Sequence, residues 1–179
     1  MGTRSLTFVM DHKFQPCVCI YRQFDGYPTR TGMGWDSYNF LANRNKVNGI
    51  SYPSSWKQTS NGMEDLAAQL VMYLKMKRYS RVGNVYLYSP PRLYKDNYEG
   101  REKYKLYLCK FALDCAGEYS YFIYPVESGG IEISIHELHY EGQVNILYQG
   151  PPEGMAERFE YKDFSRMLNP MKEPELENA

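Results

Sequence analysis

The sequence predicts an α+β fold: a mostly antiparallel sheet of about six or seven strands, with two or three helices packed on it. Three observations predict this. Short apolar or alternating runs, bounded by turn residues, recur along the chain. The first two are joined by the short segment "DHKFQP", which makes an opening β-hairpin the simplest reading. Between these strand-like runs lie two stretches whose apolar residues repeat at helical spacing instead.

Residues 5–10 alternate Ser5, Thr7 and Val9 against Leu6, Phe8 and Met10, the pattern of a half-buried strand. "CVCIYRQF" is expected to be its antiparallel partner, so that residues 4–10 pair with 16–24 and "DGYP" turns the chain away. The loop "PTRTGMG" follows, then a short helix over 36–45 with Tyr38, Leu41 and Ala42 on one face. "NKVNGISYPSSWKQTSNG" reads as a long polar loop. The strongest helix comes next: Asn61 is placed to cap it, and Met63, Leu66, Ala67, Leu70 and Leu74 form its stripe. Lys75, Lys77, Arg78 and Arg81 at its end complement the helix dipole. "NVYLYSPP" is a strand stopped by its prolines, and "RLYKDNYEGREKYK" a charged loop. "YKLYLCKFALD", "EYSYFIYPV", "IEISIHELHY" and "QVNILYQG" read as four more strands, with Gly in the turns between them. A last helix follows, with Met155, Phe159 and Phe164 inward. One domain over 1–168 and a disordered tail over 169–179 are expected.

Lys plus Arg and Asp plus Glu balance at 21 each, so no net field recruits duplex nucleic acid or an anionic membrane. No apolar run is long enough to span a bilayer, and the N-terminus lacks a signal-peptide core, so a cytoplasmic protein is expected. The spacings of Cys17, Cys19, Cys109 and Cys115 suit small buried hydrophobes better than a zinc knuckle. Cys17 and Cys19, two apart in a strand, are expected on one face. The three histidines form no metal signature, and no phosphate loop or nucleophile elbow is present. No metal and no cofactor are therefore expected.

The densest polar stretch is "YRQFDGYP". Arg22 shares a strand face with Val18, Ile20 and Phe24, and Asp25 is the nearest carboxylate in sequence, so an Arg22–Asp25 pair is expected. Simple hairpin register brings Thr3, Arg4 and Ser5 beside it. Arg4, Arg22, Gln23, Asp25 and Tyr27, with the loop glycines Gly32 and Gly34 and with Trp35 available for stacking, make the expected ligand site. Two planar guanidinium forks suit a phosphate or carboxylate. Tyr and basic residues also interleave in "RLYKDNYEGREKYKLY", as single-stranded nucleic acid or a nucleotide would use.

The segments "GTRSLT", "YRQFDGYP", "NVYLYSPP", "GEYSYFIYPV" and "ILYQGPPEGMAERF" resemble a family of small uncharacterised phage and microbial proteins, and the resemblance runs over most of the chain. It implies a phage setting, in the host cytoplasm, where sequestering a host signalling nucleotide would be an anti-defence use. It also implies a His in the loop after Pro28, where this chain has "TRTGMG". A second, shorter likeness is to N-terminal nucleophile hydrolases of the choloylglycine type. Met1-Gly2-Thr3 precedes a hairpin carrying Arg22-x-x-Asp25, but Gly2 stands where the nucleophilic Cys would be, which implies a non-catalytic relative.

The expected function is thus non-enzymatic binding of a small anionic or nucleotide-like ligand, in a protein compatible with homo-oligomer formation. The alternatives are a hydrolase or transferase using Asp25 as base, and a protein-interaction module with Tyr-rich edges.

Overall fold

The computed structural model describes residues 2–29, 31–42, 44–47, 59–77, 84–90, 100–127 and 129–161. The α+β expectation holds. A six-stranded sheet runs in the order β5-β2-β1-β6-β7-β8, built from β1 (Ser5–Met10), β2 (Pro16–Arg22), β5 (Val85–Tyr88), β6 (Tyr119–Pro125), β7 (Ile131–Leu138) and β8 (Val144–Gly150). Every neighbouring pair is antiparallel except the central β1–β6 pair, which is parallel. Helices α1 (Met33–Leu41) and α2 (Gly62–Met76) contribute Met33, Leu41, Leu66 and Leu70 to the core on one face. Helix α3 (Arg101–Asp114) contributes Tyr104, Leu108, Cys109 and Ala112 to a second core on the other. A 3-10 turn, Pro152–Gly154, leads into the short α4 (Met155–Arg158), which buries Met155 on the α1–α2 side.

The opening hairpin pairs as expected, from Ser5 opposite Arg22 to Val9 opposite Val18. The register then jumps to Met10 opposite Pro16, leaving Cys17 as the extra residue of a bulge. That bulge overturns the expected Cys17–Cys19 alignment: Cys17 packs on the α1–α2 side and Cys19 in the α3 core. Burial pushes the Cys17 thiol up to about 11 and the Cys109 thiol up to about 12, so both are protonated at neutral pH. β1 is wholly buried rather than half-buried, because helices cover both faces of the sheet at its centre.

Further expectations fail. "YKLYLCKFALD" is the body of α3, not a strand, and residues 101–105 of the expected charged loop form its first turns. Leu106 and Tyr107 point to solvent while Tyr104, Leu108 and Ala112 are buried, a spacing of four. The long polar loop contains two short strands, β3 (Asn45–Val47) and β4 (Thr59–Asn61), paired parallel. The first helix begins at Met33, three residues before the expected start. Asn61 does not cap α2 with its side chain; the Asp65 carboxylate reaches back to the Asn61 amide at 2.7 Å. Residues 48–58 and 91–99, Arg78, Arg81, Phe164 and the tail 169–179 lie outside the described residues.

Candidate functional site

The expected site lies at the end of the sheet where β1 begins and β2 ends. The structure divides its residues between the two faces. Arg22 lies on the helix α1 side and is 5% exposed. Its carboxylate partner is Asp36 of α1, at 2.6 Å, and not Asp25. Its Nε donates to the Phe24 carbonyl at 2.8 Å. Asp36, itself 5% exposed, also accepts from Lys77, which follows α2. Desolvation lowers the Lys77 pKa, but the Asp36 charge and hydrogen bond outweigh it and the net shift is upward. Lys77 therefore serves this buried cluster rather than only the α2 dipole. Sequence reasoning missed Asp36, although its place among Met33, Phe40 and Leu41 on one helix face signals a buried, paired carboxylate.

The "DGYP" turn is held from the core. Gly26 accepts at its carbonyl from the Tyr121 hydroxyl at 2.7 Å, and Pro28 at its carbonyl from the Tyr161 hydroxyl. Tyr121 is fully buried, and desolvation first, then neighbouring Tyr161, pushes its phenol well above the ordinary value. Asp25, not Gly26, takes the left-handed conformation (φ 57). Gly26 is needed for close approach instead: a Cβ there would lie 2.6 Å from the Arg4 carbonyl carbon. The Asp25 carboxylate accepts from the Tyr27 hydroxyl at 3.4 Å, and Tyr27 also meets Thr31 at 3.2 Å.

Gly32 and Gly34 are packing residues, not hinges. A Cβ on Gly32 would sit 2.1 Å from the Tyr27 carbonyl oxygen, and one on Gly34 2.2 Å from that of Pro28. The amides of Met33 and Gly34 donate to the Asp25 and Tyr27 carbonyls, so the start of α1 is occupied by the turn rather than open to an anion. Alanine at Gly34 would gain about 1 kcal/mol of helix propensity. The clash is with backbone pinned by two buried tyrosines, so Gly34→Ala is expected to destabilise by about 2–3 kcal/mol net. Urea unfolding checks this, and an unchanged midpoint would refute it. Trp35 packs half-buried against Tyr38 and Tyr161, with centroids at 5.8 and 5.1 Å.

Arg4 and Gln23 belong to the other face. Gln23 accepts at Oε1 from the Tyr21 hydroxyl at 2.6 Å, leaving its amide NH2 to donate elsewhere. Tyr21 stacks on Tyr88 (4.9 Å, interplanar angle 0°) and meets Tyr86 at 6.1 Å, where β2 pairs with the edge strand β5. Arg4 lies two residues before Leu6, which pairs with Tyr21, so it shares that sheet face; desolvation raises the Tyr21 phenol, and the Arg4 charge acts against that rise. The Arg4 backbone is committed to β6, through Glu118 and Tyr119. Its guanidinium makes no hydrogen bond or ion pair among the described residues. Tyr86 and Tyr88 are exposed. Sequence reasoning missed both; the alternation of "NVYLYSPP", with its two tyrosines two apart, was the available signal. In α3, Arg101 and Lys105 lie over the Phe14 ring at 5.4 and 5.8 Å, so these basic residues of the interleaved segment stack within the protein.

Among the described residues, no helix is long and apolar enough to cross a membrane. No family model, no curated protein and no solved structure matches this chain.

Proposed function

We propose that this protein binds, without converting it, a small nucleotide-like ligand that combines a planar ring with an anionic group. The ligand lies on the exposed rings of Tyr86 and Tyr88, which the buried Tyr21 supports, with Arg4 at its end. One observation carries this reading: a guanidinium with no hydrogen bond or ion pair among the described residues shares a sheet face with stacked tyrosine rings, two of them exposed. Rings give a sequence-tolerant stacking platform, and the planar fork of Arg suits a phosphate. The Gln23 amide adds a donor at the same place. Arg22, Asp25, Tyr27, Gly32, Gly34 and Trp35, expected in the same pocket, support the platform from below by fixing the end of β2 and the start of α1. A hydrolytic reading gains nothing from Asp25, whose carboxylate faces the Tyr27 hydroxyl. A second reading has one observation in its favour: Leu87, on the opposite face of the edge strand β5, is 57% exposed, as a strand-adding protein partner would require.

Calorimetric titration with AMP, GMP and a cyclic dinucleotide tests the proposal. Binding of at least one is expected. Tyr88→Ala should weaken it roughly 5- to 150-fold, the equivalent of one lost stack. Arg4→Lys should weaken it by about tenfold or more, because Lys keeps the charge and loses the fork. Absence of binding by all three probes, or affinities in both variants equal to wild type, would overturn it.

A further inference from the structure

The two edges of the six-stranded sheet are built differently. β8 is defended twice. Its register against β7 shifts between Ile135 and His136, which leaves Leu147 as the extra residue of a bulge. The Leu147 carbonyl also accepts from Arg158 of α4 at 2.9 Å, which ties the bulge to that helix. Bulges and charges are the ordinary means of keeping a sheet edge from pairing with another chain. β5 carries neither. Its register against β2 runs unbroken from Val85 to Tyr88, and "VYLY" holds no charge and no proline. No strand among the described residues pairs with its outer side, and Tyr86, Leu87 and Tyr88 are all exposed.

The parity of the ladder shows which residue of that edge is open. Gln23 donates its amide to the Asn84 carbonyl at 2.9 Å, so Asn84 faces β2. Along an antiparallel strand, successive residues turn their backbone groups alternately toward one neighbour and the other. Tyr86 and Tyr88 therefore bond to β2, while Val85 and Leu87 turn their N–H and C=O groups outward. The Val85 carbonyl is taken by Lys75 from the last turn of α2. Leu87 thus stands at the middle of the exposed stretch with both backbone groups facing away from the sheet.

Leu87 is also the centre of a palindrome. Tyr86-Leu87-Tyr88 reads the same in both directions. A second copy laid antiparallel and centred there would exchange both hydrogen bonds between Leu87 and the partner's Leu87. The same register sets Tyr86 opposite the partner's Tyr88, and Tyr88 opposite the partner's Tyr86, on the α3 face of the sheet. On the α1–α2 face it sets leucine against leucine. No like charges meet along the paired strands. A two-fold axis demands a patch that complements itself, and this strand is one.

We propose that two copies of this chain join antiparallel through β5, centred on Leu87, so that their sheets run on into one. Assembly stops at two, because the other edge of each sheet is the defended strand β8. The tyrosine rings of both copies then form a single row on the α3 face. This inference does not rest on the ligand proposed at Arg4: it names the occupant of the edge whether or not the rings hold a nucleotide.

Sedimentation velocity of the full-length chain without added ligand, from about 1 µM to about 1 mM, tests the proposal. So short a strand makes a small interface, so a concentration-dependent monomer–dimer equilibrium is expected, with no larger species. Leu87→Lys sets two ammonium groups opposite each other on the axis and should weaken the dimer by at least about tenfold. The register is read separately by cross-linking. Leu87→Cys should form a disulfide between residue 87 of the two chains on mild oxidation, since a bonded antiparallel pair holds its Cα atoms about 5.5 Å apart. Ser89→Cys, which would lie opposite the partner's Val85, should not link to its own copy. Peptide mapping separates these bonds from any made by the native cysteines. A wild type that stays monomeric at the highest concentration, a dimer changed less than about twofold by Leu87→Lys, or equal self-linking by the two cysteine variants would overturn the proposal.

Discussion

Asp36→Ala is expected to cost about 3–5 kcal/mol of folding stability, the range for removing one partner of a buried ion pair. The size follows from what is left behind. Arg22 would remain 5% exposed with its Nη1 facing an apolar methyl, and Lys77 would lose its carboxylate at the same time. One substitution therefore leaves Arg22 buried without its carboxylate and takes the ion partner from Lys77, which keeps its contact with the Tyr73 ring. It also unties three elements, since Arg22 ends β2, Asp36 lies in α1 and Lys77 follows α2. The double replacement Arg22→Met with Asp36→Leu removes both charges of the deepest pair and should lose less than Asp36→Ala alone. Guanidinium unfolding of the three proteins measures this. A loss below about 1 kcal/mol for Asp36→Ala would mean that water reaches the cluster after all.

The second large effect is on acid stability, through His136. This residue is 2% exposed on the α3 face of β7. Its Nε2 is 2.6 Å from the Ser134 hydroxyl, its Nδ1 is buried with no hydrogen-bond partner among the described residues, and its ring meets Phe122 edge-on at 5.2 Å. The charged groups bearing on it are Lys105 and Glu102 of α3, which pair with each other at 3.0 Å. Burial first, and then the Lys105 charge, lower its pKa from 6.5 to about 4. The folded protein thus refuses a proton that the unfolded chain accepts. Its contribution is fully present above about pH 6.5 and is lost as pH falls from there toward 4. A shift of that size corresponds to about 3 kcal/mol. Unfolding free energy measured across this window should fall more steeply in wild type than in His136→Gln, which cannot titrate there. Parallel curves for the two proteins would show that His136 is not the group responsible.

Local pattern alone determined much of this protein. The alternation of residues 5–10, the "DHKFQP" turn and the apolar run after Pro16 specify the opening hairpin, and the stripe Met63, Leu66, Leu70, Leu74 specifies α2. These features need no partner to be recognised, because backbone geometry alone sets periods of 2 and 3.6. "YKLYLCKFALD" was misread because tyrosine and leucine suit either element. Whether Leu106 or Leu108 is buried depends on which surface α3 meets, and that surface is formed by strands on either side of it in the chain.

The polar residues show the same division more sharply. That Arg22 needs a carboxylate was legible from its apolar strand face, but which carboxylate was not. Asp25 was nearer in sequence, and Asp36 was chosen by the packing of α1 on the sheet. Arg4 and Arg22, read as one site, were separated because the sheet places them on opposite faces, each covered by different helices. Tyr86 and Tyr88 reach Tyr21 only because β5 returns to the edge of β2 after two helices and two short strands. Residue type and period fix which side chains must be buried or paired. Which partner each one meets is decided by sheet order and crossovers, since contacts between distant segments depend on the free energy of the whole packed chain rather than on any one stretch of it.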